Sequence, residues 1–395
     1  MFADNYLQKN KRVPLIQLPP LAGCGIIIVI PCFHEPDILL TLESLNQCEL
    51  PVQNVEVIIL INHSEIAPFD IRKYNDKTRK EVEDWITNHK KEGLTFYVLG
   101  PVELQKKWAG VGLARKSGMD EALSRFNVLN KPGGIIVSLD ADTLVAKNYL
   151  VEIEKHFNQN PGDVGVTISF EHQLKDLDKN EMEGILLYEK YLVYYKQALE
   201  FVGYPYAMFT VGSAFAVTAE SYVKRGGMTR RQAGEDFYFL QNLALIGRVG
   251  ELTSTKVYPS ARVSHRVPFG TGPIMGKWIN GEEDLTKTYN FKAFIDLKIF
   301  FSDIEKLFKI DEEGFLKIIK NLPDPVRQFL KADKFWKEIK DLNQNCSNIK
   351  SFQTRFFHKF NAFKILKFLN FGHEHFYQKA DLEEQINNLN KHNEV

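Results

Sequence analysis

No run of apolar residues in this chain approaches the roughly 20 that cross a bilayer, and no basic-then-apolar pattern opens it. An excess of charge is lacking too. The 50 Lys and Arg balance the 50 Asp and Glu, which argues against a dedicated nucleic-acid binder. Cysteine is scarce: Cys24, Cys32, Cys48 and Cys346 form no C-x-x-C pair, so neither a zinc site nor a disulfide framework is expected. A reducing, cytoplasmic setting is the default expectation. Internal repeats and long low-complexity tracts are also missing. What remains is a globular protein, soluble or peripherally attached, with enough chain for one large domain or two.

Periodicity supplies the elements. Residues 26–30 read as a buried strand stopped by Pro31, and 38–45 have apolar residues at helical spacing. Strands follow at 55–61, 96–99 and 135–139, with helices at 70–92 and 112–123 between them. That alternation predicts a mostly parallel, doubly wound sheet. Later segments are mixed: strands at 164–170, 213–217 and 257–263, helices at 181–201 and 237–245, and a Gly- and Pro-rich loop at 266–280. From about Lys287 the chain reads as helical, which puts a domain boundary near 285: residues 1–285, then a helical region 286–395.

Asp140-Ala141-Asp142 ends the apolar run at 135–139. Two carboxylates two apart on a strand share a face, and they would emerge at the strand's C-terminal end, where ligands bind in open α/β sheets. Close anions repel; a divalent metal with phosphates on its far side relieves the repulsion. A second copy, Asp176-Leu177-Asp178, lies in a polar stretch with no strand before it and reads as solvated surface.

Other segments present reactive groups, each with a plain structural alternative. Pro31-Cys32-Phe33-His34-Glu35 leaves the first strand in a turn that presents Glu35 to a ligand, or places it in a first helical turn. Asn62, in Ile61-Asn62-His63-Ser64, offers an amide to a base edge, or satisfies its own turn. Gly110-Val111-Gly112-Leu113-Ala114-Arg115-Lys116 opens a helix, where Arg115 and Lys116 suit diphosphate oxygens or are simply solvated. Gly234-Glu235-Asp236-Phe237 offers a carboxylate for proton transfer, or caps a helix. His265 and Arg266 follow the strand-like 257–263, ahead of Pro268-Phe269-Gly270-Thr271-Gly272-Pro273, which has the composition of a mobile lid.

In this order, over roughly residues 25–270, these segments resemble the nucleotide-diphospho-sugar glycosyltransferases of the GT-A fold, family 2 in particular. The chain departs from that pattern at His34, at Asn62-His63 in place of an Asp-Asp-Gly-Ser-like turn, and at Lys116 in place of Asn. A Gln-x-x-Arg-Trp motif is absent, and Trp278 does not replace it, which argues against a processive polysaccharide synthase.

The resemblance implies an α/β fold with a doubly wound mixed sheet and a C-terminal helical extension. It implies transfer of a sugar, with inversion, from a nucleoside diphosphate sugar to a hydroxyl of a glycan or lipid-linked acceptor. Asp140, Asp142 and His265 would hold Mn or Mg. Pro31, Phe33, Glu35, Asn62, Arg115, Lys116, Asp140 and Arg266 would bind the donor. Asp236 would be the general base, with Glu235 orienting the acceptor. A retaining transferase, a nucleotidyltransferase on a similar sheet, and a degenerate sugar-nucleotide-binding module stay open as alternatives. Residues 350–369 carry five Lys or Arg, six Phe and no Asp or Glu. Such a stretch lies on an anionic membrane surface or packs into a core.

Overall fold

Uninterrupted apolar residues make the first strand a fully buried one: β1 (Cys24–Cys32) is buried at every position. It runs on through Pro31, which lies opposite Leu60 in the parallel register. The computed structural model describes residues 1–232, 234–264, 266 and 270–393. The chain runs α1 (Asp4–Lys9), β1, α2 (Ile38–Asn46), β2 (Asn54–Ser64), α3 (Phe69–Asn88), β3 (Leu94–Leu104), α4 (Val111–Val128) and β4 (Ile135–Ser138). It continues through β5 (Leu144–Val145), α5 (Tyr149–Gln159), β6 (Gly165–Phe170), α6 (Lys179–Phe201), β7 (Phe215–Thr218), α7 (Ala219–Lys224), α8 (Glu235–Leu243), β8 (Val249–Tyr258) and α9 (Thr271–Ile279).

Among the described residues these strands form an eight-stranded sheet in the order β3-β2-β1-β4-β7-β6-β8-β5. The first four are parallel neighbours. β7 pairs antiparallel with both β4 and β6, β6 runs parallel to β8, and β5 is antiparallel to β8. The sheet is therefore mixed, and the mostly parallel expectation holds for its first half only. Two helices of this sheet region, α5 and α7, were not foreseen. β8 begins well before the expected 257, because its burial alternates and its exposed positions are polar. The expected loop 266–280 contains α9.

The helix α4 has almost no apolar stripe, yet it is buried nearly all round. Its charges find internal partners. Arg125 pairs with Glu56 at 2.5 Å, and the Glu121 carboxylate accepts the backbone N–H groups of Leu15 and Ile16. Lys116 Nζ donates to Asp120 and to the Tyr6 hydroxyl, and Tyr6 and Tyr222 donate to the same Asp120. The first 20 residues thus carry α1 and cover a polar helix that must not be left half solvated.

The chain divides into two compact units: residues 1–181 with 210–276, and residues 182–209 with 277–395. The second crossing lies close to the expected boundary at 285. Residues 182–209, which sequence reading kept with the sheet, belong to the helical unit. That unit contains α10 (Phe291–Ser302), α11 (Glu312–Lys320), α12 (Asp324–Ala332), α13 (Trp336–Asn345), α14 (Ile349–Lys359), α15 (Ala362–His375) and α16 (Leu382–Asn393). Side chains of Asn290, Asp311, Asn348 and Asn361 cap four of these helices by accepting backbone N–H groups.

The stretch 350–369 contributes to the core of this unit. Phe352, Phe356, Phe360, Ile365, Phe368 and Leu369 are all fully buried. Lys364 pairs with Asp333 and Glu338 at 2.6 Å each, and Lys359 with Asp341 at 3.1 Å. Among the described residues no helix is long and apolar enough to cross a membrane. Phe356 packs against Phe300 and Phe335 with ring centroids 5.8 Å away and stacks on Phe360. Phe356→Ala should therefore cost about 3–5 kcal/mol in chemical denaturation. A loss near zero would place these aromatics on a surface.

Candidate active site

Between β1 and β4 the strand order reverses: β2 and β3 extend to one side of β1, and β4 starts the other. A crevice outside the C-terminal ends of two such strands is where open α/β sheets bind ligands. Two of the segments singled out in the sequence come here. β1 leads into the turn that holds Phe33, Glu35 and Asp37. β4 leads into the turn that holds Asp140 and Asp142.

Asp140 and Asp142 lie beyond the end of β4, not on it. Strand alternation therefore does not set their facing, and hydrogen bonds from the surroundings do. Leu139 N–H donates to Val29 O at 3.1 Å, Thr41 Oγ1 to Ala141 O at 2.9 Å, and Gln173 Nε2 to Asp142 O at 2.9 Å. So pinned, the two carboxylates meet different partners.

Asp142 faces a pair of arginines. Its Oδ2 lies 3.5 Å from Arg262 Nη2 and 3.4 Å from Arg266 Nη2. Arg262 also pairs with Glu35 and, at 2.6 Å, with Asp37. Arg266 pairs with Glu35 at 2.7 Å and donates to Phe33 O at 3.1 Å. Glu35 is 1% exposed. Burial pushes its carboxyl up, but Arg262 and Arg266 outweigh burial and leave it below its ordinary range.

Asp140 faces a third arginine. Arg115, 2% exposed, donates from Nη2 to Asp140 Oδ1 at 2.5 Å and from Nη1 to Glu235 Oε1 at 3.2 Å. Glu235 and Asp236 open α8, and Asp236 Oδ1 accepts the Phe237 N–H at 2.7 Å. Burial raises both carboxyls above the ordinary carboxylate range, with Arg115 opposing it. Gly112 has a packing role: a Cβ there would stand 2.0 Å from the Arg231 carbonyl oxygen. Glycine lets the start of α4 close on the segment that leads into Glu235.

Other expected donor-binding residues are placed as follows. Asn62 is buried, and its Nδ2 donates to Cys32 O and Leu60 O. Asn75 of α3 links both strand ends: its Oδ1 accepts the His34 N–H, and its Nδ2 donates to Asn62 O. Lys116 is turned into the Tyr6–Asp120 network described above, apart from the carboxylates of the crevice. His265 lies outside the described residues, as do Pro268 and Phe269 of the expected lid, while Gly272 and Pro273 are helical in α9. Asp37, Asn75 and Arg262 were missed, because nothing in their local sequence marks them. The decoy Asp176-Leu177-Asp178 has a structural role: Asp178 and Glu181 exchange side-chain-to-backbone hydrogen bonds at 2.8 Å, a capping box at the start of α6.

Among the described residues, Glu35, Asp37, Asp140, Asp142, Glu235 and Asp236 face Arg115, Arg262 and Arg266, an excess of three negative charges if all ionise. No three described His, Cys, Asp or Glu residues gather as a ready cation site. One oxygen on each of Asp140 and Asp142 has no donor among the described residues. Two hard oxygens in an over-negative crevice suit a magnesium-like ion that takes its remaining ligands from water and from a bound phosphate.

No family model and no curated protein matches the chain. Solved structures with a similar course include S. aureus TarS 1–349 in complex with UDP-GlcNAc, at 10% identity over 85% of this chain and 91% of that one, TM-score 0.43. Another is the mannosyltransferase PcManGT from Pyrobaculum calidifontis in complex with GDP-Man and Mn2+, at 12% identity over 91% and 93%, TM-score 0.39.

Burial, with Glu35 and Asp140 nearby, pushes Asp142 up to about 7 from its ordinary 3.8. A carboxyl that holds its proton more tightly when folded costs nothing below the unfolded value and costs increasingly as pH rises toward the folded one. In chelator, Asp142→Asn should therefore match the parent in stability near pH 4 and exceed it by pH 8, as read by urea unfolding at stepped pH. A gap that instead widens on acidification would contradict this environment for Asp142.

Proposed function

We propose that the chain is a metal-assisted glycosyltransferase of the GT-A kind, close to family 2. In this reading it moves a sugar, with inversion, from a nucleoside diphosphate sugar to a hydroxyl of a glycan or lipid-linked acceptor. One observation carries the reading. Two acidic segments almost a hundred residues apart in sequence, Asp140–Asp142 and Glu235–Asp236, are gathered at the topological switch point with a guanidinium between them. A transferase needs that division: cationic help for a departing diphosphate, and a carboxylate for the incoming hydroxyl.

The residues take these roles. Asp140 and Asp142 would hold manganese or magnesium, which supplies Lewis-acid charge to the leaving diphosphate when bound. Arg262 and Arg266 stand beside Asp142 at the crevice rim, each a little over a quarter exposed. Their forked donors suit phosphate oxygens, and Glu35 and Asp37 keep the forks in place until a donor arrives. Pro31 and Phe33 shape the donor side of the turn. Asn62 keeps Oδ1 for a base edge. Asp236 accepts the acceptor hydroxyl's proton as its oxygen attacks the anomeric carbon, and Glu235 orients that hydroxyl. Burial raises the proton affinity of Asp236, which favours taking the proton, while Arg115 opposes protonation at rest.

Nucleoside diphosphates and their sugars, screened with and without manganese, should raise the melting temperature in a metal-dependent way, since a ligand that binds only the folded state must stabilise it. No shift with any of them would sink the donor assignment. Asp236→Asn should retain donor binding and lose transfer by at least about 100-fold. Undiminished transfer would remove Asp236 as the base. In the parent, transfer should fall on acidification with a midpoint above the ordinary carboxylate value of about 4. NMR of the product anomer separates inversion from retention.

A further inference from the structure

Arg115 was expected to meet diphosphate oxygens from the start of a helix. Its surroundings point elsewhere. Among the described residues it is one of the largest fully buried side chains, and both terminal nitrogens are already occupied by protein acceptors on different elements. Nη2 holds Asp140, beyond β4; Nη1 holds Glu235, at the start of α8, and lies 3.5 Å from Gly212 O. Burial alone would lower the guanidinium's pKa, but Asp140, Glu235 and Asp236 outweigh it, so its charge is secure.

Gly212 completes the arrangement. It precedes β7, and Ser138 Oγ anchors its carbonyl at 2.7 Å. A Cβ at Gly212 would meet Arg115 Nη1 and Nη2 at 2.9 Å each and Asp236 Oδ2 at 3.1 Å. The guanidinium and the Asp236 carboxylate therefore flank one glycine, with no room for a side chain between them. Four separate segments meet at this point.

We infer that Arg115 is a positioning residue, a two-pronged bridge that sets Asp140 on the leaving-group side against Glu235 and Asp236 on the acceptor side without itself touching the donor. This rests on the glycosyl-transfer reading for the names of the two sides. The bridge itself rests on the contacts alone. A bridge needs two prongs: a lysine restores the charge as a single point and cannot span both carboxylates as a planar fork does.

The test compares donor affinity with turnover in three full-length variants. In Arg115→Met, kcat should fall about 100-fold, the size expected when reacting groups lose their mutual placement, while nucleoside diphosphate affinity stays within about threefold by calorimetry. Arg115→Lys should keep the fold and the affinity but remain at least about tenfold below the parent in kcat. Gly212→Ala, which keeps the guanidinium but forces it to shift, should also lower kcat with affinity kept. A tenfold or larger loss of diphosphate affinity in the Met and Lys variants would make Arg115 a donor contact and overturn the inference. So would full turnover in Arg115→Lys.

If the parent binds no nucleoside diphosphate or its sugar, the glycosyl-transfer reading fails first, and carbon-detected titration of Glu235 and Asp236 then judges the bridge. Their midpoints should rise in Arg115→Met. Midpoints unchanged from the parent would overturn the bridge on its own terms.

Discussion

A guanidinium at 2% exposure stays charged only where carboxylates replace the water it has lost. Arg115 has such partners in Asp140 and Glu235, and much of the first unit is arranged around that requirement. To bury Arg115, the helix that bears it must be covered on nearly every side, although it carries charges along its whole length. Those charges must be matched in turn. Asp120 gathers Lys116, Tyr6, Tyr222 and Arg12, Glu121 takes two backbone N–H groups from the N-terminal segment, and Glu56 takes Arg125. The N-terminal residues are part of this support, since the cover over α4 comes largely from them.

The crevice contrasts with that satisfied interior. Arg262 and Arg266 are only partly buried, and their carboxylate partners outnumber them. Charge left over after all pairing collects at Asp142, where burial and the neighbouring carboxylates raise proton affinity. In the proposed function such a site takes a cation ligand, and a rim guanidinium exchanges carboxylate for phosphate. Inside, Arg115 fixes geometry; at the rim, two arginines are positioned to change partners. In the proposed reaction the first property aligns the acceptor side with the leaving group, and the second receives the donor.

Much of this was legible in the sequence, for identifiable reasons. β1, β2 and β4 are buried runs of β-branched residues, and their ends fall where the composition changes. Asp140–Asp142 was separable from Asp176–Asp178 because only the former follows such a strand, and the latter proves to cap α6. Arg262, Asp37 and Asn75 were not legible. Each acts through partners far along the chain, as Arg262 does across more than two hundred residues to Glu35. β8 was mostly missed because its exposed positions are polar, and Lys116 was read as a diphosphate contact or a solvated residue because the tyrosine and aspartate that enclose it lie elsewhere in the chain or one helical turn away.

The sequence by itself determined which segments become buried strands, their order, and the chemical kinds of residue at their ends, because burial period and turn composition are local properties. It also placed one pair of carboxylates just beyond an apolar strand and another at the head of an apolar helix. Which carboxylate meets which arginine was decided only by the tertiary structure. Ion pairing in a buried site depends on distances of a few ångströms between segments remote in sequence, and the closure of glycine-containing segments against backbone sets those distances. The same arginine, read from sequence as a phosphate ligand, is found holding two carboxylates from different segments.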